Sequence, residues 1–127
     1  MRALKRALDF EGRSSVGEAW VLHLCVVGVA IVLAIGNTMV LEIVPSETVN
    51  YVFLGLFGLL IAASALPYAS LFVRRFHDLN LSGWWALAAL VPFLGGLVII
   101  PVFLIPGVRE PNRFGPPPGS AKVAAAS

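Results

Sequence analysis

His77 and Asp78 are neighbours in the sequence, and Arg74 and Arg75 stand just before them. No other stretch of the chain packs ionisable side chains so densely. A His beside an Asp is a pairing that serves acid–base and metal chemistry. A metal site needs further ligands. The surroundings offer no second His, no cluster of thiols and no Glu-x-x-His pattern. Nor do they offer a Gly-rich phosphate loop or a Ser nucleophile in a recognisable elbow. The residue types suit structural work better. Arg74 and Arg75 suit anchors at anionic lipid headgroups. Asp78, Asn80 and Ser82 suit caps for helix ends, with Ser82 placed to start a helix. The sequence therefore assigns no catalytic residue, no metal and no cofactor.

The elements that position this cluster are apolar. Hydrophobic residues are 58% of the 127-residue chain and charged residues 13%, about half of the ~25% usual in soluble domains. The length allows one domain. Such a domain cannot cover a water-facing surface with so few charges, so its apolar excess must face lipid. The net charge of +2 is too small to suggest nucleic-acid binding. Cys25 is the single cysteine and lies in an apolar run. It allows no intrachain disulfide and is expected to be a small buried hydrophobe.

Three apolar runs follow a basic amphipathic segment, residues 1–18. Its first residues, with Arg2, Lys5 and Arg6 opposite Ala3, Leu4, Ala7 and Leu8, suit a short helix lying in the membrane interface. Acids precede the first run, which is longer than the roughly 7–15 residues of a signal-peptide core, so a cleaved signal is not expected. The runs cover about residues 19–41, 49–73 and 84–105 within a membrane domain of residues 19–106. A span needs roughly 20 apolar residues, and the first two runs meet that. His23 is expected to bond a neighbouring helix, and Asn37 and Thr38 to make local or interhelical bonds. In the second run Gly55, Gly58, Ala62, Ala65 and Ala69 recur at three- and four-residue steps. They form a small-residue stripe, expected to be a helix–helix seam, because close backbone approach joins helices in lipid where hydrophobicity cannot. Pro67 is expected to kink this helix. The third run is interrupted by Pro92, Gly95, Gly96 and Pro101. As one helix it can just cross the roughly 30 Å core. As two halves it must turn back, which needs a turn buried against protein. Residues 107–127 are polar and Pro-rich and are expected to be disordered. The fold class is thus an all-α integral membrane protein, with two antiparallel transmembrane helices and a third segment that spans or re-enters.

Basic residues gather on the cytoplasmic side of membrane proteins. The N-terminal segment and residues 74–83 carry Lys and Arg, whereas the connection between the first two runs carries none. The N terminus and residues 74–83 are therefore expected in the cytoplasm. A re-entrant third segment keeps all nine basic residues on that side, and this reading is adopted. Charge also predicts that Glu18 pairs with Arg74 or Arg75, with Arg75 preferred, because the two helix ends are neighbours.

Four polar motifs flank the runs: Phe10-Glu-Gly-Arg13, Glu18-Ala-Trp20, Arg74-Arg-Phe-His-Asp78 with Ser82-Gly-Trp-Trp85, and Asn112-Arg-Phe-Gly115. In this order they resemble the DUF805 family of small bacterial inner-membrane proteins, over nearly the whole chain. The Arg-Arg-x-His-Asp stretch followed by Ser-Gly-Trp is the most specific part. The chain departs from the family pattern at Val16, Ala19, Glu110 and Pro117. The resemblance implies the fold and a bacterial inner-membrane location, and it carries no catalytic residue across.

Three functions fit these features. The preferred one is a non-enzymatic interaction or assembly module. It would use the small-residue stripe and a polar cluster of Arg13, Glu18, Arg74, Arg75, His77, Asp78, Ser82, Trp84, Asn112 and Arg113. Its partners would be the bilayer, anionic headgroups, and a second copy or another membrane protein. The alternatives are an oligomeric transporter or channel subunit, and a protein that binds or modifies lipid headgroups at residues 74–83.

Overall fold

A computed structural model describes residues 9–126. The interfacial helix expected at the very N terminus falls on residues 1–8 and lies outside them. Helix α1 is Val16–Ile43 and α2 is Glu47–Asp78. A 3-10 helix, Gly83–Leu90, follows, then α3, Leu94–Phe103, and a last short helix α4, Ser120–Ala126. There is no strand among the described residues. Helices α1 and α2 are antiparallel and long and apolar enough to cross a membrane. The apolar stretch of α2 has no buried residue and that of α1 almost none. Two helices with mean hydropathies of 2.5 and 2.0 and so little cover expect lipid around them.

Both helices exceed the runs that suggested them. Ser15 caps α1 by accepting a bond from the Glu18 amide at 3.2 Å. Ser15 and Glu18 have the S-x-x-E spacing of a helix start, which places the helix at Val16 rather than residue 19. At its far end α2 runs on past Val73 to Asp78. It stops in a Schellman motif: Asn80 has φ +60, its amide bonds His77 O at 3.0 Å, and Leu81 N bonds Phe76 O at 2.8 Å. Asn tolerates this left-handed position better than most residues. Arg74, Arg75, His77 and Asp78 therefore occupy the last turn of a helix instead of a loop.

The seam between α1 and α2 differs from the expected one. Half-buried positions on α2 are Phe53, Phe57, Leu60, Ser64 and Pro67, with Leu71 buried. These recur at helical steps and face Leu22, Val26, Ala30, Leu33 and Gly36 of α1, which are half-buried in turn. The Phe53 ring lies 3.4 Å from where a Cβ on Gly36 would be. Gly55, Gly58, Ala62, Ala65 and Ala69 are all exposed, so the stripe does not join α2 to α1. Large side chains on α2 fill the gap, and on α1 Gly36 makes room for Phe53. Cys25 likewise is exposed rather than buried, on the outward face of α1.

The third segment turns back. The 3-10 helix rises about 16 Å at ~2.0 Å per residue, and α3 about 15 Å at ~1.5 Å per residue. Neither reaches across a ~30 Å core. Gly83 starts beside Val73 and His77 of α2, and the carbonyl of Val102 returns to Arg75. The segment therefore leaves and re-joins the same end of the bundle. Its turn holds Phe93 at φ +71, 98% exposed. The buried core gathers at that same end: Ala19, Leu71, Phe76, Val98, Val102 and Phe103.

Replacing Gly36 by Leu drives a side chain into Phe53, whereas Gly28 has nothing within 4 Å. Gly36→Leu should lower the thermal midpoint in detergent, with an overpacking cost of about 1–3 kcal/mol. Gly28→Leu should match the parent. Equal midpoints would place the seam elsewhere.

Candidate functional site

Three segments converge on the end of α2: residues 9–15 before α1, the returning end of α3, and the tail from residue 107. The first two meet on Arg75, which is fully buried, and the tail meets Asp78 beside it. A guanidinium has five N–H donors, and each of them is used. Nε donates to Val102 O at 2.9 Å. One Nη1 hydrogen goes to Ser14 O at 3.1 Å and the other to Asp78 Oδ2 at 2.5 Å. Nη2 donates to Pro101 O at 2.9 Å and to Ile105 O at 2.6 Å. The carbonyls of residues 101 and 102 are among those a helix leaves unbonded at its C-terminus. Arg75 thus caps α3, and its charge meets the negative end of that helix dipole. Trp20 of α1 adds a bond from Nε1 to Phe103 O at 3.0 Å.

Asp78 lies between two arginines. Its Oδ1 accepts from Arg13 Nε at 2.9 Å and lies 2.8 Å from Arg13 Nη2. The side chains of Arg13 and Asp78 are 1% and 3% exposed. Arg13 also donates to the carbonyls of Glu110 at 2.9 Å and Gly115 at 3.3 Å, and to that of Val108. It clamps the tail. Gly107 must be glycine here, because a Cβ would run into the Asp78 carboxylate. Val108 N caps Asp78 O at 3.0 Å, and Ser14 N reaches Arg74 O at 3.3 Å.

The tail motif Asn112-Arg-Phe-Gly115 is a tight turn. Asn112 and Gly115 exchange backbone bonds at 3.1 and 2.9 Å, and Asn112 Oδ1 accepts from Phe114 N at 2.9 Å. Gly115, at φ +119, takes a backbone geometry that other residues rarely adopt. The turn aims Asn112 Nδ2 at His77 O, 2.8 Å away. It also lays the Phe114 ring flat on His77, 3.9 Å between centroids. The His77 Nδ1 bonds the Gly12 carbonyl at 3.1 Å. Arg113 covers the Phe114 ring at 4.7 Å and bonds Asn80 O at 3.5 Å.

The sequence-based cluster is therefore brought together in part. Arg13, Arg75 and Asp78 form its buried centre, with His77, Asn112 and Arg113 layered beside it. Ser82 and Trp84 sit at the start of the 3-10 helix, where Gly83 lies against His77. There Ser82 Oγ accepts from Trp84 N at 3.4 Å, and Trp84 is largely exposed. Glu18 faces Arg74, at 4.0 Å, and not the preferred Arg75, whose donors are taken by Asp78 and four carbonyls. The tail is not disordered through residues 107–115, since it is bonded to the cluster along its length. Ser14 and Gly107 escaped sequence reasoning, and Trp20 stood in a motif without an assigned role. Their roles depend on backbone carbonyls and close approaches that leave no residue-type signal. His23 Nδ1 lies 3.0 Å from the Tyr68 hydroxyl, and Asn37 Nδ2 lies 3.4 Å from Asn50 Oδ1. These are the interhelical bonds expected of them. Thr38 bonds Ile35 O within its own helix. Among the described residues no group of three or more His, Cys, Asp or Glu could hold a metal ion.

Two long lipid-facing helices tied at one end by a buried Arg–Asp–Arg cluster define a small integral membrane protein. The chain belongs to the DUF805 family, described as a protein of unknown function, which matches residues 7–116. It is 36% identical over 118 residues to the inner membrane protein YhaI of Escherichia coli, covering 93% of this chain and 92% of that one. To inner membrane protein YhaH of the same organism it is 33% identical over 119 residues, 93% of each chain. No solved structure matches it.

Removing one partner of a buried, hydrogen-bonded ion pair costs about 3–5 kcal/mol. Asp78→Asn, which leaves two buried guanidinium groups facing a neutral amide, should destabilise the protein in that range in detergent unfolding. Glu18 is 37% exposed and 4.0 Å from the buried Arg74, so that pair should couple by only roughly 0–1 kcal/mol in a double-mutant cycle. A larger coupling there than at Arg75 and Asp78 would move the structural centre to the wrong pair.

Proposed function

We propose that this protein is a two-span inner-membrane protein with a re-entrant third segment, and that it acts without enzymatic chemistry, as an assembly module. The observation that carries this reading is the state of the polar cluster. Every donor of Arg75 and both oxygens of Asp78 are spent on holding segments together. The His77 Nδ1 bonds the Gly12 backbone. The side chains best suited to chemistry are committed to structure.

The orientation follows from charge. Arg13, Arg74, Arg75, Arg109 and Arg113 belong to the end where the third segment returns, and Glu42 and Glu47 flank the opposite turn. Positive-inside placement puts the cluster, the N terminus and the tail in the cytoplasm. The assembly surface is the upper part of the small stripe, Gly55, Gly58 and Ala62. These residues are exposed, and no side chain lies within 4 Å of where a Cβ on either glycine would be. A helix of a second copy or of another membrane protein can approach closely there.

A reporter active only outside the cytoplasm should give signal when inserted after Val44 and none when fused after Pro118. Signal at both sites would replace the re-entrant reading with three spans. For assembly, Gly58→Cys in a Cys25→Ser background should form a discrete cross-linked species on oxidation in native membranes. Val32→Cys, on the outward face of α1, should not. Equal cross-linking at both positions, or none at Gly58→Cys, would discard the stripe as an interface.

A further inference from the structure

A 3-10 helix has three residues per turn, so side chains three apart lie one above another. In Gly83–Leu90 this makes one row of Gly83, Ala86 and Ala89 and another of Trp84, Leu87 and Leu90. The small row lies toward α2. A Cβ on Gly83 would come within 2.7 Å of Val73 Cγ1 and 3.1 Å of His77 Nε2. The large row stands outward, with Trp84 and Leu90 both 79% exposed. On α2 the facing residues Ala65, Ala69 and Val73 are spaced by four and stack along the helix. Small side chains on both walls leave a groove of about 690 Å³ between α2 and the 3-10 helix.

The groove is polar at one end only. His77 and Ser82 line that end together with Phe114, whose ring carries the Arg113 guanidinium. Deeper in, the one polar residue is Tyr68, and its hydroxyl is taken by His23 of α1. The polarity chooses the occupant. From Ala65 to His77 is about 18 Å along α2. The groove is apolar over that depth and polar only beside His77 and Ser82, close to the Arg113 cation on Phe114. An extended hydrocarbon chain with an anionic head matches that pattern.

We infer that this groove holds one acyl chain of an anionic phospholipid. The tail lies along Ala69 and Ala65 against the Leu87 and Leu90 wall, and the headgroup phosphate rests at Arg113 and Ser82. The site is independent of the small stripe proposed for assembly, so either can fail without the other.

The test uses the full-length protein in phosphatidylcholine vesicles containing a small fraction of spin-labelled phosphatidylglycerol, read by electron paramagnetic resonance. The parent should show a motionally restricted component equivalent to a single lipid per chain. Ala69→Phe and Leu87→Trp fill the groove from opposite walls. Each should reduce that component at least tenfold while circular dichroism keeps the parent helix content. Leu59→Phe, outside the groove, should leave it intact. Arg113→Gln should keep a restricted tail but lose, several-fold, the preference for labelled phosphatidylglycerol over labelled phosphatidylcholine. An undiminished component in folded Ala69→Phe or Leu87→Trp overturns the assignment. So does an Arg113→Gln variant with an unchanged preference. So does disulfide-linked dimer from Ala69→Cys in a Cys25→Ser background, which would put protein rather than lipid in the groove.

Discussion

A guanidinium stripped of water must recover a negative charge and five hydrogen-bond acceptors from the protein around it. Arg75 collects them from the segment before α1, from its own helix, and from the end of α3. No one of these segments supplies enough alone. The penalty for a buried cation left unmatched is several kcal/mol, so the three are held in one arrangement or none. Asp78 extends the constraint to Arg13, and Arg13 extends it to the tail. Arg13, Arg75 and Asp78 are all consumed in this single junction.

The junction also ties down the returning end of the third segment. A helix C-terminus leaves its last carbonyls without partners. Here the carbonyls of residues 101, 102, 103 and 105 are received by Arg75 and Trp20. The break itself lies at the far turn, where Phe93 is exposed. The last carbonyls of α2 are met at the junction by Val108 and Asn112. Two helix C-termini, each with a partial negative charge, share a site that holds two arginines against one carboxylate. The surplus positive charge of the cluster matches the surplus negative character of the helix ends.

Helix α2 divides its circumference by side-chain size. One face carries Phe53, Phe57 and Leu60 into α1. The small face is left bare toward the open turn, and near the junction it meets the 3-10 helix across the groove. Small residues permit close approach without compelling it; which neighbour arrives is decided by the chain's path. Here the path brings α1 to the bulky face, where Gly36 makes room for Phe53.

Much of this protein is legible in its sequence. Apolar run lengths and sparse charge define two lipid-exposed helices, because hydropathy summed over about 20 residues is a local property. The breaks at Pro92 and Gly95 mark the interrupted segment for the same reason, and the Asn112-Arg-Phe-Gly115 and Arg74-to-Asp78 motifs mark the junction. The pairing inside that junction is not legible. Glu18 and Asp78 are both carboxylates within reach of the same helix end, and charge alone prefers neither. The choice falls to Asp78 because it lies one helical turn from Arg75, on the face that the returning α3 and the tail enclose, while Glu18 stays partly in contact with solvent beside Arg74. The acceptors that complete Arg75 are backbone carbonyls, which every residue possesses and no residue type announces. Only the tertiary path of the chain decides which of them are brought to the guanidinium.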